Sequence, residues 1–130
     1  MKNENCIFCK IIEGKVPAVK VWEDEDYLAF LDMNPVVQGH TLLMPKRHND
    51  YVFDLQDPLY TKLMLKVKSL AKFLKSKLNP KRVGIIIEGF GVPHIHVHLM
   101  PINTPHEINQ KGKPNVSKEE LKKVAKKIAG

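Results

Sequence analysis

Apolar residues in this chain recur with a period of about two in some stretches and about 3.6 in others, and the switches between them mark out the elements. Residues 18–22 and 27–32 are short β-rich runs separated by Glu23-Asp24-Glu25-Asp26, an acidic stretch suited to a hairpin loop. A third strand is expected over 40–44, after the loop Asn34-Pro35-Val36-Val37-Gln38-Gly39 and stopped by Pro45. Asp57 and Pro58 then suit the N-cap and first position of a helix. Leu59, Leu63, Val67, Leu70, Leu74 and Leu78 recur at threes and fours as far as Asn79-Pro80, which gives this helix one core-facing side. Residues 82–88, rich in Val83, Ile85, Ile86 and Ile87, read as a buried strand. Gly89-Phe90-Gly91 reads as a tight link to an antiparallel neighbour over 94–100. Residues 101–116 form a Pro- and Asn-containing irregular connection, and Ser117-Lys118-Glu119-Glu120 is a capping box opening a last helix with Leu121, Val124 and Ile128 on one side. The expected fold class is therefore α+β: a mainly antiparallel sheet of about five strands with a long central helix and a C-terminal helix. The expected organisation is one domain over 1–130, with a core over 1–105, a connection over 106–116 and the terminal helix over 117–130.

The strand over 94–100 carries the chemistry. Alternation sets Ile95, Val97 and Leu99 toward the core and lines up His94, His96 and His98 on the other face, about 6.6 Å apart. Three uses of such a row compete: the polar face of a half-buried strand, one metal held by all three, or a division of labour. A single ion fits poorly, because the outer histidines stand about 13 Å apart at the backbone while a zinc–nitrogen bond is about 2.1 Å. Two neighbours with ligands from elsewhere are the most that close on one ion. The favoured reading gives one histidine a structural role and keeps the others as neutral imidazoles for nucleophilic or proton-transfer work near pH 7.

With 130 residues, 43% of them hydrophobic, the chain suits one domain with a true core. No run of eighteen apolar residues and no signal-peptide pattern occurs, so a cytoplasmic protein without a membrane segment is expected. The only cysteines, Cys6 and Cys9, are spaced Cys-x-x-Cys, which excludes a disulfide framework and leaves zinc binding, redox chemistry or coincidence. A redox pair should open a helix after a strand, and none is expected before Cys6, so zinc is favoured. The net charge of +7 points to anionic partners, but many cations sit on two helices: Lys62, Lys66, Lys68, Lys72, Lys75 and Lys77, then Lys122, Lys123, Lys126 and Lys127. With no aromatic interleaving they read as solvated faces rather than a nucleic-acid surface.

His94 to Met100 matches His-φ-His-φ-His-φ-φ, and the chain resembles the histidine triad family. Further segments match in the same order: Cys6 to Ile12, Ala29 to Pro35, Gly39-His40, and Pro45-Lys46-Arg47-His48. Together they cover roughly the first 50 residues and residues 83–101. The resemblance implies hydrolases or transferases that cleave small nucleotides at the α-phosphorus, usually as homodimers with a continuous sheet, with a purine nucleotide as the expected substrate. It assigns His96 as the nucleophile that forms a nucleotidyl-histidine, His98 as a phosphate ligand or leaving-group donor, and His40 as their flanking residue. Cys6, Cys9, His48 and His94 are the implied ligands of a structural zinc. Ile7, Phe8 and Ile11, otherwise ordinary core residues, match base-packing positions, and Asp32 matches the acid that binds ribose hydroxyls.

One segment departs from the family. Many members carry Asn near the end of the preceding strand and a Gly-Gln or Ser-containing loop just before the triad, whereas this chain has Ile87-Glu88-Gly89-Phe90-Gly91-Val92-Pro93. Val92 has no polar side chain and Pro93 no backbone N–H, so fewer donors are expected for phosphate. The leading expectation is an enzyme acting on adenosine phosphoramidates or dinucleoside polyphosphates. The alternatives are aprataxin-like deadenylation of nucleic-acid ends and a zinc-stabilised nucleotide-binding protein with little turnover.

Overall fold

The computed structural model describes residues 3–113 and 116–130. A short helix α1 (Ile7–Ile12) precedes the hairpin β1 (Lys20–Glu23) and β2 (Tyr27–Leu31). Strand β3 (Thr41–Pro45), the long helix α2 (Asp57–Leu78), strands β4 (Arg82–Ile86) and β5 (Val97–Ile102), and helix α3 (Lys118–Ala129) follow. All neighbouring strands are antiparallel, in the order β1-β2-β3-β5-β4. The α+β architecture and the five-stranded antiparallel sheet agree with the sequence pattern.

The sheet has a core on each face, and strand alternation sorts the residues between them. Tyr27, Ala29, Leu31, Leu43, Val97 and Leu99 pack with Leu63, Val67, Leu70 and Leu74 of α2 and Leu121 and Ile128 of α3. Leu28, Phe30, Leu42 and Met44 point the other way and pack with Cys6, Phe8, Cys9 and Ile11 of α1. Covering both faces explains why β2 is buried at every position. Lys66 is not a freely solvated cation: its Nζ lies 3.0 Å from Asp24 and 4.2 Å from the Trp22 ring centroid, tying α2 to the β1–β2 hairpin.

Several boundaries differ from those expected. Helix α1 was not anticipated; at six residues it is too short to carry a periodic signal, and the Cys6 sulfur accepts from the Cys9 N–H at its start. In α2, Gln56 holds the N-cap position and Asp57 the first helical one, and Leu59 is exposed rather than core-facing. The link from β4 to β5 is not tight: it spans residues 87–96, and β5 begins at Val97 rather than at His94. Residues 94–96 bond to loops instead of a strand, with the His94 N–H donating to Val92 and the Ile95 N–H to Asn49. Strand β5 runs on to Ile102, and the connection after it contains a 3-10 turn, Glu107–Asn109. The capping box is present, with the Ser117 hydroxyl accepting from the Glu120 N–H.

Candidate functional site

On the α1 face of the sheet lies a cleft of about 590 Å³, lined by Ile7, Phe8, Ile11, Asp32, His40, His96 and His98. A smaller cavity of about 290 Å³ between the 35–40 loop and α3 also touches Asp32 and His40, but none of the three alternating histidines reaches it. The larger cleft therefore concentrates the candidate chemistry. Ile7 is exposed toward it, while Phe8 and Ile11 are buried. The Phe8 ring stands edge-on to His96, 4.9 Å between centroids, which fixes the imidazole plane. Asp32 caps the loop after β2 by accepting from the Asn34 N–H, and its other oxygen lies 3.6 Å from His40 Nε2.

Hydrogen bonds assign the ring tautomers. His96 Nδ1 lies 2.7 Å from the His94 carbonyl, so Nδ1 carries the proton and donates it, leaving the lone pair on Nε2. The Val36 N–H donates to His40 Nδ1 at 3.1 Å, so His40 carries its proton on Nε2 and donates it to His98 Nδ1 at 2.9 Å. His98 is then protonated on Nε2. With the His96 and His98 ring centroids 5.0 Å apart, the pair offers a bare nitrogen lone pair beside an N–H donor. That combination suits attack on a phosphorus whose oxygen accepts the neighbouring hydrogen bond.

Burial favours the neutral form of His40 and His98. It pushes His40 from the usual 6.5 down to about 4, against the pull of the Asp32 carboxylate and with help from His98. Burial also lowers His98, with the His96 ring acting in the same direction and the Asp32 and Glu88 carboxylates opposing. Unfolded histidine titrates near 6.5, so below that pH the unfolded chain binds the extra proton first. The stability that neutral His40 contributes is thus full above pH 6.5 and lost as pH falls through about 4. The expected loss is about 3 kcal/mol. Urea unfolding across pH 4–7 checks this: His40→Asn, which cannot take up a proton, should flatten the profile, and an identical slope in both proteins would refute it.

The second cluster lies beside the first. Cys6, Cys9, His48 and His94 each direct one donor atom to a common point, all within 4.8 Å of one another. His94 Nδ1 stands 3.5 Å from the Cys6 sulfur, 3.6 Å from the Cys9 sulfur and 3.2 Å from His48 Nδ1, and Cys9 lies 3.3 Å from His48 Nδ1. Tetrahedral zinc with bonds of 2.0–2.3 Å separates its ligands by roughly 3.3–3.8 Å, so the donor set fits. The far nitrogen of His94 donates to the Pro45 carbonyl at 2.8 Å, which turns the Nδ1 lone pair toward the sulfurs.

The structure thus brings the expected residues into two adjoining groups, with His94 in one and His96 and His98 in the other. It also brings to the cleft residues that sequence reasoning did not single out: Met33, Ile86, Met100, Ile108 and Gln110. Ile108 and Gln110 come from the connection after β5, where the backbone of Lys113 donates to Pro35 and Gly112 packs on Asn34 so closely that a side chain there would strike its carbonyl. Glu88, noted only as part of an atypical loop, is a further wall residue, one oxygen within 4.8 Å of a ring nitrogen of both His96 and His98.

The HIT-domain family model matches residues 13–104. The Protein hit of Bacillus subtilis is 40% identical over 103 residues, covering 75% of this chain and 71% of that protein. An adenosine 5'-monophosphoramidase of Candida albicans is 35% identical over 106 residues, covering 75% and 70%. A zinc-bound histidine triad family protein from Mycobacterium smegmatis superimposes with a TM-score of 0.79 at 26% identity, covering 96% of this chain and 94% of that one. The order of strands, the alternating histidines and a family match across most of its length together make this chain a member of the HIT-domain family.

Proposed function

We propose that the chain is a nucleotide hydrolase that cleaves adenosine phosphoramidates or related small nucleotides at the α-phosphorus through a nucleotidyl-histidine. The observation that carries this reading is the tautomer pattern, which presents the His96 Nε2 lone pair beside the His98 Nε2–H in one cleft. The monophosphoramidase activity named for the Candida albicans relative supports the substrate class. Ile7, Phe8 and Ile11 would pack on the base, a purine, and Asp32 would accept from the ribose hydroxyls. His96 Nε2 bonds to phosphorus as the phosphorus–leaving-group bond breaks. The leaving amine takes its proton from solvent, while the His94 carbonyl holds the Nδ1 proton of the cationic ring. The His98 N–H donates to a phosphate oxygen, and His40 keeps His98 in that tautomer. Water then bonds to phosphorus, the Nε2–phosphorus bond breaks, and nucleoside monophosphate leaves with the water proton released to solvent.

Cys6, Cys9, His48 and His94 would hold a zinc that is structural, because four protein ligands leave no open position. Such a site ties α1 to the segment before β5 that carries His96. The expected assembly is a homodimer in which a second copy continues the sheet at an edge, since β1 and β4 each have one neighbour only among the described residues. No helix among the described residues is long and apolar enough to cross a membrane, and the proposed location is cytoplasmic. A turnover panel of adenylated and guanylated substrates tests the reading. Release of nucleoside monophosphate supports it, and stoichiometric binding without release would favour the low-turnover nucleotide-binding alternative.

Charge separates small substrates from nucleic-acid ends. Lys122, Lys123, Lys126 and Lys127 are exposed on α3. Replacing all four with glutamine is expected to leave kcat/KM for adenosine phosphoramidate within about twofold, because such solvent-face lysines lie outside the cleft. Tight binding of adenylated DNA that weakens steeply with salt and is lost in the four-lysine variant would instead establish the deadenylation reading.

A further inference from the structure

The cleft is walled without a lysine or arginine among the described residues that line it, although the chain has 21 such residues. Its carboxylates are Asp32 and Glu88. Asp32 sits at the β2 end and bonds within its own loop. Glu88 sits instead on the β4–β5 link, with one oxygen within 4.8 Å of a nitrogen on each of His96 and His98. Its Oε1 accepts from the Phe90 N–H at 3.3 Å, and it forms no ion pair among the described residues. Ile86 and Ile108 line the same cleft and give it apolar surface.

From this arrangement we infer that Glu88 selects the leaving group by charge, favouring nucleoside phosphoramidates whose leaving amine carries an ammonium on a short alkyl chain and disfavouring polyphosphate leaving groups. The inference rests on the proposed hydrolase reading and narrows its substrate class. The cleft that brings phosphorus within reach of His96 is also lined by Glu88, so a leaving group held in it shares that space with the carboxylate. A polyphosphate brings several negative charges to a cleft lined by two carboxylates and no fixed cation, whereas an alkylammonium brings the missing counter-charge and can lay its methylenes on Ile86 and Ile108. Glu88 is exposed at the rim of the cleft, so its charge acts on selectivity most strongly at low ionic strength.

Three probes isolate the effect: adenosine 5'-phosphoramidates of 1,3-diaminopropane and of n-butylamine, which differ by an ammonium against a methyl, and diadenosine tetraphosphate. They are assayed at low ionic strength without added divalent cations. In the unaltered protein kcat/KM for the ammonium-tipped compound should exceed that of its methyl counterpart by about tenfold, with diadenosine tetraphosphate the poorest of the three. Glu88→Gln keeps an acceptor for the Phe90 N–H while removing the charge, and should bring the first ratio to within about twofold. Glu88→Lys should raise diadenosine tetraphosphate hydrolysis at least about tenfold relative to the methyl-tipped compound. Ratios that stay the same in all three proteins would overturn the role of Glu88 while leaving the hydrolase reading intact. Absence of turnover on every probe by the unaltered protein would overturn both.

Discussion

Replacing His96 with alanine or glycine is expected to lower kcat on an adenosine phosphoramidate by at least about ten-thousand-fold while nucleotide affinity changes by no more than about tenfold. The split follows from the division of labour in the cleft. His96 is the ring whose lone pair faces the cavity, because its other nitrogen is engaged by the His94 carbonyl. Base, ribose and phosphate would be held by other groups: the α1 side chains, Asp32, and the His98 N–H. Removing the nucleophile therefore removes the covalent route without emptying the binding site. His96 is buried, and its ring packs edge-on against Phe8, so nucleotide affinity also reports whether the variant retains its fold. Equal loss of binding and turnover would mean that the ring serves mainly to hold the cleft together.

The second large effect concerns the cysteine and histidine cluster. Protein purified without chelators should contain about one zinc per chain, and Cys6→Ser should lose the metal together with roughly 10 °C of thermal stability, equivalent to about 3 kcal/mol. The size of this effect follows from what the four donors connect: α1 through Cys6 and Cys9, the loop after β3 through His48, and the approach to β5 through His94. Without a cation, two histidine nitrogens 3.2 Å apart and a thiol pushed by burial toward its neutral form share one small space. Metal analysis and differential scanning calorimetry of both proteins measure the outcome. Full stability in a metal-free protein would show that α1 is held by apolar packing alone.

The strands and long helices were readable from the residues because their signals are local: alternation at 94–98, threes and fours from Leu63 to Leu74, a serine cap before α3. The same alternation separated His96 and His98 from Ile95 and Val97 before any tertiary contact was known. Helix α1 carried no such signal, since six residues complete fewer than two turns and their apolar side chains meet a sheet face distant in sequence. In β2, by contrast, the unbroken apolar run from Tyr27 to Leu31 lacks the alternation of a half-covered strand and is consistent with cover on both faces. Ile108 and Gln110 reach the cleft only because the connection after β5 doubles back over Asn34 and Pro35, a course fixed by backbone contacts and by the absence of a side chain at Gly112. The nearness of Glu88 to the histidine pair depends likewise on how a ten-residue link folds. Such placements arise from tertiary packing, which no periodicity encodes.

Trapping the covalent intermediate tests most directly whether this cleft works by nucleophilic catalysis. Protein mixed with an adenosine phosphoramidate, quenched rapidly without acid and examined by intact-mass spectrometry, should carry one adenylyl group per chain, and peptide mapping should locate it on His96. The His96→Gly variant should carry none. An adduct on any other residue, or sustained turnover by the His96→Gly variant, would contradict the mechanism.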